Sequence, residues 1–171
     1  MMRNLLLFVT ALFILSCSDS NSNLEEKLTT AITEGEVGPE GYKIIQMTEL
    51  TDFEWDRMYY FQASEDKKEI SAAIGFKWDG TTVPELSRRL LFVKDQEVVS
   101  FVDFNYNDFP LFVYGCEDDK WVYPNSRSQF ASFKYCDGDR EIYTFIPVKC
   151  IDNIKELMAY DCPAEGAVAA K

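Results

Sequence analysis

The chain of 171 residues contains no histidine. That absence removes the commonest general base and the commonest metal ligand. No serine sits in a Gly-x-Ser-x-Gly elbow, and there is no glycine-rich phosphate loop. No Cys-x-x-Cys pair occurs, so a zinc site lacks a ligand set. Basic charge is scarce: 17 Lys and Arg stand against 29 Asp and Glu, a formal net charge of −12. A surface that negative repels nucleic acid and anionic head groups, which removes nucleic acid from the possible partners. Internal repeats and long linkers are missing as well. These absences predict no catalytic residue, no metal and no cofactor, and they argue against an enzyme.

What is present concentrates at the start. Arg3 supplies a positive charge, an apolar run follows from Leu5 to Leu15 broken only by Thr10, and Ile14-Leu15-Ser16-Cys17 closes the segment. A charged start, a short apolar core and a small residue before a cleavage point form a secretory signal. The run is too short for a membrane span, which needs about 20 apolar residues. Ile14-Leu15-Ser16-Cys17 resembles the lipobox of bacterial lipoproteins, in which the cysteine is acylated and becomes the mature N-terminus. The resemblance implies a signal peptide over 1–16, lipidation at Cys17, and a membrane reached through that lipid. It also implies that Ser18 permits transfer to the outer membrane of a Gram-negative cell, whereas an aspartate there would favour the inner one. The alternative is plain secretion, since Ser16 and Ser18 also suit ordinary cleavage before Asp19.

Cleavage before Cys17 leaves 155 of the 171 residues, enough for one domain with a real core, and takes the formal charge from −12 to −13. Four further cysteines remain: Cys116, Cys136, Cys150 and Cys162. An even number in an exported chain predicts two disulfides among three connectivities. Cys116–Cys136 with Cys150–Cys162 is the favoured pairing, because Cys136 lies beside a tight turn and the other two flank a short helix.

Periodicity and turn chemistry divide the chain into a tether over 17–23, a domain over 24–163 and a flexible tail over 164–171. Asn23 is a helix cap, with Glu25 and Glu26 in the first turn of a helix reaching residue 33. Strands are predicted over 42–47 and 55–62, then a helix capped by Ser64 and stopped by Gly75. Residues 90–94 and 97–104 flank Asp95-Gln96 as a hairpin that sets Lys94 opposite Glu97. Further strands follow over 112–116, 121–123, 130–136 and 140–146, the last two around Asp137-Gly138. Ile151, Ile154, Leu157 and Met158 mark a final amphipathic helix. The fold class is α+β: a single domain with an antiparallel sheet and two or three short helices.

Three clusters invite a chemical reading. Asp137-Gly138-Asp139-Arg140-Glu141 superficially suggests a calcium loop, but it lacks the distal glutamate, and the turn already explains Asp-Gly. Glu117-Asp118-Asp119 reads as a solvated loop. Asp52, Glu54 and Asp56 alternate with Phe53 and Trp55, so on an extended chain the three acids share one face. With Trp55, Tyr59 and Tyr60 beside it, that face could bind a sugar or a cationic group. The plainer reading is an exposed strand edge whose aromatics belong to the core.

The run from Trp55 to Phe61, Ile74-Gly75-Phe76 after a capped helix, and Leu91-Phe92-Val93-Lys94 before a hairpin also resemble a pattern in small exported bacterial proteins of unassigned role. That resemblance implies a stand-alone domain and carries over no catalytic residue. The leading expectation is a lipid-anchored, non-enzymatic binding or structural module of the cell envelope. The alternatives are a periplasmic inhibitor or immunity protein against a basic toxin or hydrolase, for which the acidic charge would steer association, and an envelope glycan hydrolase using Asp52, Glu54 or Asp56.

Overall fold

Alternating apolar residues build nine strands among the described residues: β1 (Lys43–Gln46), β2 (Arg57–Phe61), β3 (Ser87–Lys94), β4 (Glu97–Asn105), β5 (Leu111–Val113), β6 (Val122–Pro124), β7 (Gln129–Ser132), β8 (Lys134–Asp137) and β9 (Arg140–Pro147). The computed structural model describes residues 19–117 and 121–162. The predicted signal segment 1–16, Cys17, Ser18, the tail 164–171, and Asp118 and Asp119 of the acidic cluster lie outside the described residues. The fold is α+β in a single domain, as the sequence predicts, with two sheets in place of one.

One sheet runs in the order β4-β3-β2-β6 and is antiparallel throughout. The other runs β1-β7-β9-β5, with β8 also on β9, and its β5–β9 pair is parallel. The Asp95-Gln96 hairpin forms as expected, with Lys94 opposite Glu97. The second hairpin turns one residue later than predicted: Asp137 faces Arg140, and Gly138 takes φ +64° at the first loop position. A side chain without Cβ suits that left-handed conformation. The predicted strand 130–136 is split at Phe133. There the buried Thr144 hydroxyl accepts the Phe133 N–H at 3.0 Å and sits 3.2 Å from the Phe133 carbonyl, bridging the break.

The sheets pack face to face. Met58 and Tyr60 of β2, Leu90 and Phe92 of β3, Phe130 of β7 and Phe145 of β9 meet between them, with Phe130 and Phe145 stacked at 4.1 Å. Helix α1 (Ser22–Thr33) closes this core with Leu24, Leu28 and Ile32, one turn apart on a single face. Its cap is Asn21, two residues before the expected Asn23, because Asn21 both accepts the Leu24 N–H and is tied to β4. Residues 47–50, expected to end a strand or begin a turn, form the short helix α2 (Met47–Leu50).

Each sheet also buries its outer face. Over β2, β3 and β4 lie α3 (Lys67–Ile74) and the loop 75–83, packing Ile70, Ile74 and Val83 on Tyr59, Phe61, Leu91 and Phe101. Asp66, and not Ser64, caps α3 in a capping box with Glu69, while Gly75 ends it at φ +85°. The other outer face is covered by two 3-10 segments, Val148–Asn153 and Lys155–Ala159, which replace the predicted α-helix. Ile151, Ile154 and Leu157 recur every third residue, the repeat of a 3-10 turn, and all three pack on this sheet.

The two disulfides are Cys116–Cys150 and Cys136–Cys162, with Cα separations of 5.7 and 4.9 Å. This corrects the favoured pairing. Because β5 runs parallel to β9, with Val113 opposite Phe145, Cys116 emerges at the end of β9 nearest Cys150. Cys136 lies opposite Glu141 at the other end of β9, and its N–H donates to the Tyr160 carbonyl at 3.0 Å, which brings Cys162 alongside. Cysteines at opposite ends of one strand stand far beyond the ~7 Å that a bridge can span.

Candidate functional site

The acids predicted to share a face do reach the surface, each beside a neighbour. Asp52 lies 3.7 Å from the Lys27 ammonium, Glu54 pairs with Lys94, and Asp56 accepts the Asp95 N–H at 2.7 Å. Asp95 adopts φ +53°, so the Asp56 carboxylate props a left-handed turn residue. The Lys94 hydrogen bond holds the Glu54 carboxyl below its usual range and raises the Lys94 ammonium in return. These contacts fasten the β3–β4 hairpin and α1 to the segment between them.

The aromatic half of that face does not assemble. Trp55 is buried against Phe92 at 5.4 Å in the core between the sheets, and its indole N–H donates to Thr51 Oγ1 at 3.1 Å. Tyr59 is buried on the opposite side of the same sheet, under α3. Tyr60 returns to the inner side and stacks on Trp121 at 5.3 Å. Burial raises the Tyr60 hydroxyl to about 12. The structure therefore places Trp55 and Tyr59 on two faces of β2's sheet, away from the exposed acids.

A different site lies at one end of the sandwich, where β1, β7 and β9 stop together. A cleft of about 660 Å³ opens there, lined by Gln46, Thr48, Gln129, Pro147, Val148, Lys149 and the polar run Asn125-Ser126-Arg127-Ser128. A 3-10 turn, Asn125–Arg127, forms its outer wall directly after β6. The Asn125 N–H donates to the Asp56 carbonyl at 2.8 Å, fixing that wall to the first sheet. Gln46 Nε2 donates to Thr48 Oγ1 at 2.8 Å and to Ser128 Oγ at 2.6 Å, so the floor is held by side-chain hydrogen bonds. No carboxylate lines this cleft among the described residues, although acids outnumber bases 29 to 17 in the chain. Amides, hydroxyls and two cations line the cleft and can recognise hydroxyl or anionic groups.

Sequence reasoning passed over these residues. The uninterrupted polar stretch from Asn125 to Gln129 between two strands was the available signal, but it reads equally as an ordinary loop. Gln46, Thr48 and Lys149 join it only through strand pairing. Among the described residues no group of three or more cysteines or carboxylates could hold a metal ion, and no helix is long and apolar enough to cross a membrane. Comparison with protein families, with curated proteins and with solved structures finds no match.

Proposed function

We propose that this protein is a lipid-anchored module of the cell envelope that binds a polar, hydroxyl-bearing or anionic ligand, such as an envelope glycan, without turning it over. The two disulfides mark an oxidising, extracytoplasmic compartment. Anchoring through Cys17 rests on the lipobox resemblance. The observation that carries the binding reading is the cleft between Gln46, Asn125 and Gln129, polar at the ends of β1 and β7 and along the turn between β6 and β7, and lined by no described carboxylate. The inhibitor reading draws less support, because Asp52, Glu54 and Asp56 are each engaged within the domain. The hydrolase reading draws least, because none of those three acids lines any of four surface clefts.

Two measurements test this. Palmitate labelling of the full chain and of Cys17→Ser checks the anchor: label on the wild type and none on the variant is expected, and an unlabelled wild type starting at Asp19 retires it. Titration of the full chain with soluble peptidoglycan fragments and acidic oligosaccharides, followed by amide chemical shifts, checks the cleft. Shifts confined to 46–48, 125–129 and 147–149, and lost in Asn125→Ala with Gln129→Ala, are expected. Shifts elsewhere, or none with any glycan, would remove this ligand class.

A further inference from the structure

We infer that the short connection from Cys17 holds the face carrying α3 and the loop after it against the lipid head groups; this rests on the lipid-anchor reading above. The chain joins the fold almost as soon as it leaves the anchor. Ser20 Oγ accepts the Asp103 N–H at 2.8 Å, the Asn21 N–H donates to the Phe101 carbonyl at 2.8 Å, and Asn21 Nδ2 donates to Ser100 Oγ at 3.1 Å. The predicted tether over 17–23 is thus docked from Ser20 onward. Three peptide steps from Cys17 to Ser20 span at most about 11 Å. β4 is the outermost strand of its sheet, so the domain hangs from that edge.

Beside the same edge lies a groove of about 610 Å³ lined by Lys67, Lys68 and Lys77 with Phe76 and Trp78. The one acid among its lining residues, Asp79, is 2.7 Å from Lys77. The Trp78 ring meets the Phe101 ring edge-on at 5.8 Å, and Phe101 is the residue whose carbonyl holds Asn21. The groove therefore sits one ring away from the point of attachment. Lysines with a partly exposed tryptophan and phenylalanine settle at the boundary between water and lipid, the ammonium groups among phosphates and the rings at head-group depth. The chain's net negative charge opposes an anionic surface only over a short range. Screening falls off over about 8 Å at physiological salt, so head groups respond to the nearest face and not to carboxylates on the far side. Asp66 and Glu69 stand at the first turn of α3, their carboxylates turned onto each other's backbone N–H groups in the capping box, and neither lines the groove.

The test uses the full chain, purified with its lipid from cells given radiolabelled palmitate and reconstituted in phosphatidylethanolamine–phosphatidylglycerol vesicles. A water-soluble amine-acylating reagent is applied, and each lysine is read by peptide mass spectrometry, with the same chain in detergent as the reference. Lys67, Lys68 and Lys77 are expected to react about fivefold more slowly in vesicles, while Lys134 and Lys155 over the other sheet are unchanged. A flexible Gly-Ser insert of about twelve residues between Ser18 and Asp19 is expected to abolish the protection. A labelled chain with no protection at the three lysines, with protection at Lys134 and Lys155 instead, or with protection that survives the insert overturns this orientation alone. An unlabelled chain overturns the anchor and the orientation together.

Discussion

The two outer faces of the sandwich are covered by different means. Over β2, β3 and β4 the cover is a capped α-helix and a loop, with no covalent bond to hold them. Beneath that cover Arg89, fully buried, forms a two-pronged ion pair with Asp103, Nε–Oδ1 and Nη2–Oδ2 both at 2.7 Å. Its remaining donors reach Thr81 in the loop, and its guanidinium lies 4.2 Å from the centre of the Phe101 ring. Over β7, β8 and β9 the cover is two 3-10 segments, whose hydrogen bonds are poorer, and there both disulfides are found. Covalent staples thus occur where local hydrogen bonding is weakest, and a satisfied buried charge serves where a regular helix already stands.

Removing the staples is the hardest test of that contrast. The bridges close separations of 34 and 26 residues, and on the chain-entropy account each contributes about 3.5–4 kcal/mol. Reduction and alkylation should lower Tm by about 10 °C per bridge in a domain of this size. Hydrogen exchange should then show 148–162 unprotected while 67–83 keeps its protection. Equal loss over both covers would mean that they are one cooperative unit.

Arg89→Met strikes the other cover. It leaves the Asp103 carboxylate without its partner, and a loss of about 3–5 kcal/mol is expected in urea unfolding. Arg89→Met with Asp103→Leu should recover most of it, since the pair's worth lies in mutual satisfaction. A double variant as unstable as the single would show that the fork onto Thr81 carries the energy.

The shared core separates the two covers and should release both. Burial between the sheets raises the Tyr60 hydroxyl from its ordinary 10 to about 12. Below pH 10 the hydroxyl is neutral in folded and unfolded chains alike. Between pH 10 and 12 only the unfolded chain ionises, so the folded state should lose about 3 kcal/mol across that window. Tyr60→Phe should flatten this segment of the stability–pH curve. An unchanged slope would assign it to other tyrosines.

The smallest effect is expected at the start of α3. Asp66→Ala removes the cap that accepts the Lys68 and Glu69 N–H groups, and Tm should fall by about 2–4 °C. Those hydrogen bonds hold the Asp66 carboxyl below its ordinary range, so its contribution is present above that range and fades as pH drops through it. Thermal melts of wild type and variant should therefore converge in acid, and curves that stay parallel would deny the cap its role.

Much of the fold was legible from short-range chemistry. Gly75 ending a helix, Lys94 facing Glu97 and the turn at Gly138 follow from local rules that no distant contact overrides. The start of β3 was not legible, because it depends on a contact fourteen residues away. The ion pair with Asp103 buries Arg89 and starts β3 three residues earlier than predicted.

By itself the chain determined its α+β class, its hairpins, the count of disulfide cysteines and the surface positions of Asp52, Glu54 and Asp56. These depend on periods of two and three to four residues, which any stretch of sequence displays. Only the tertiary structure decided that Trp55 and Tyr59 bury on opposite sides, that Cys116 meets Cys150, and that Gln46 and Lys149 share a cleft with Asn125. The last two turn on which strands pair and in which direction. The parallel pairing of β5 with β9 joins segments some thirty residues apart, and no local pattern encodes so distant a choice.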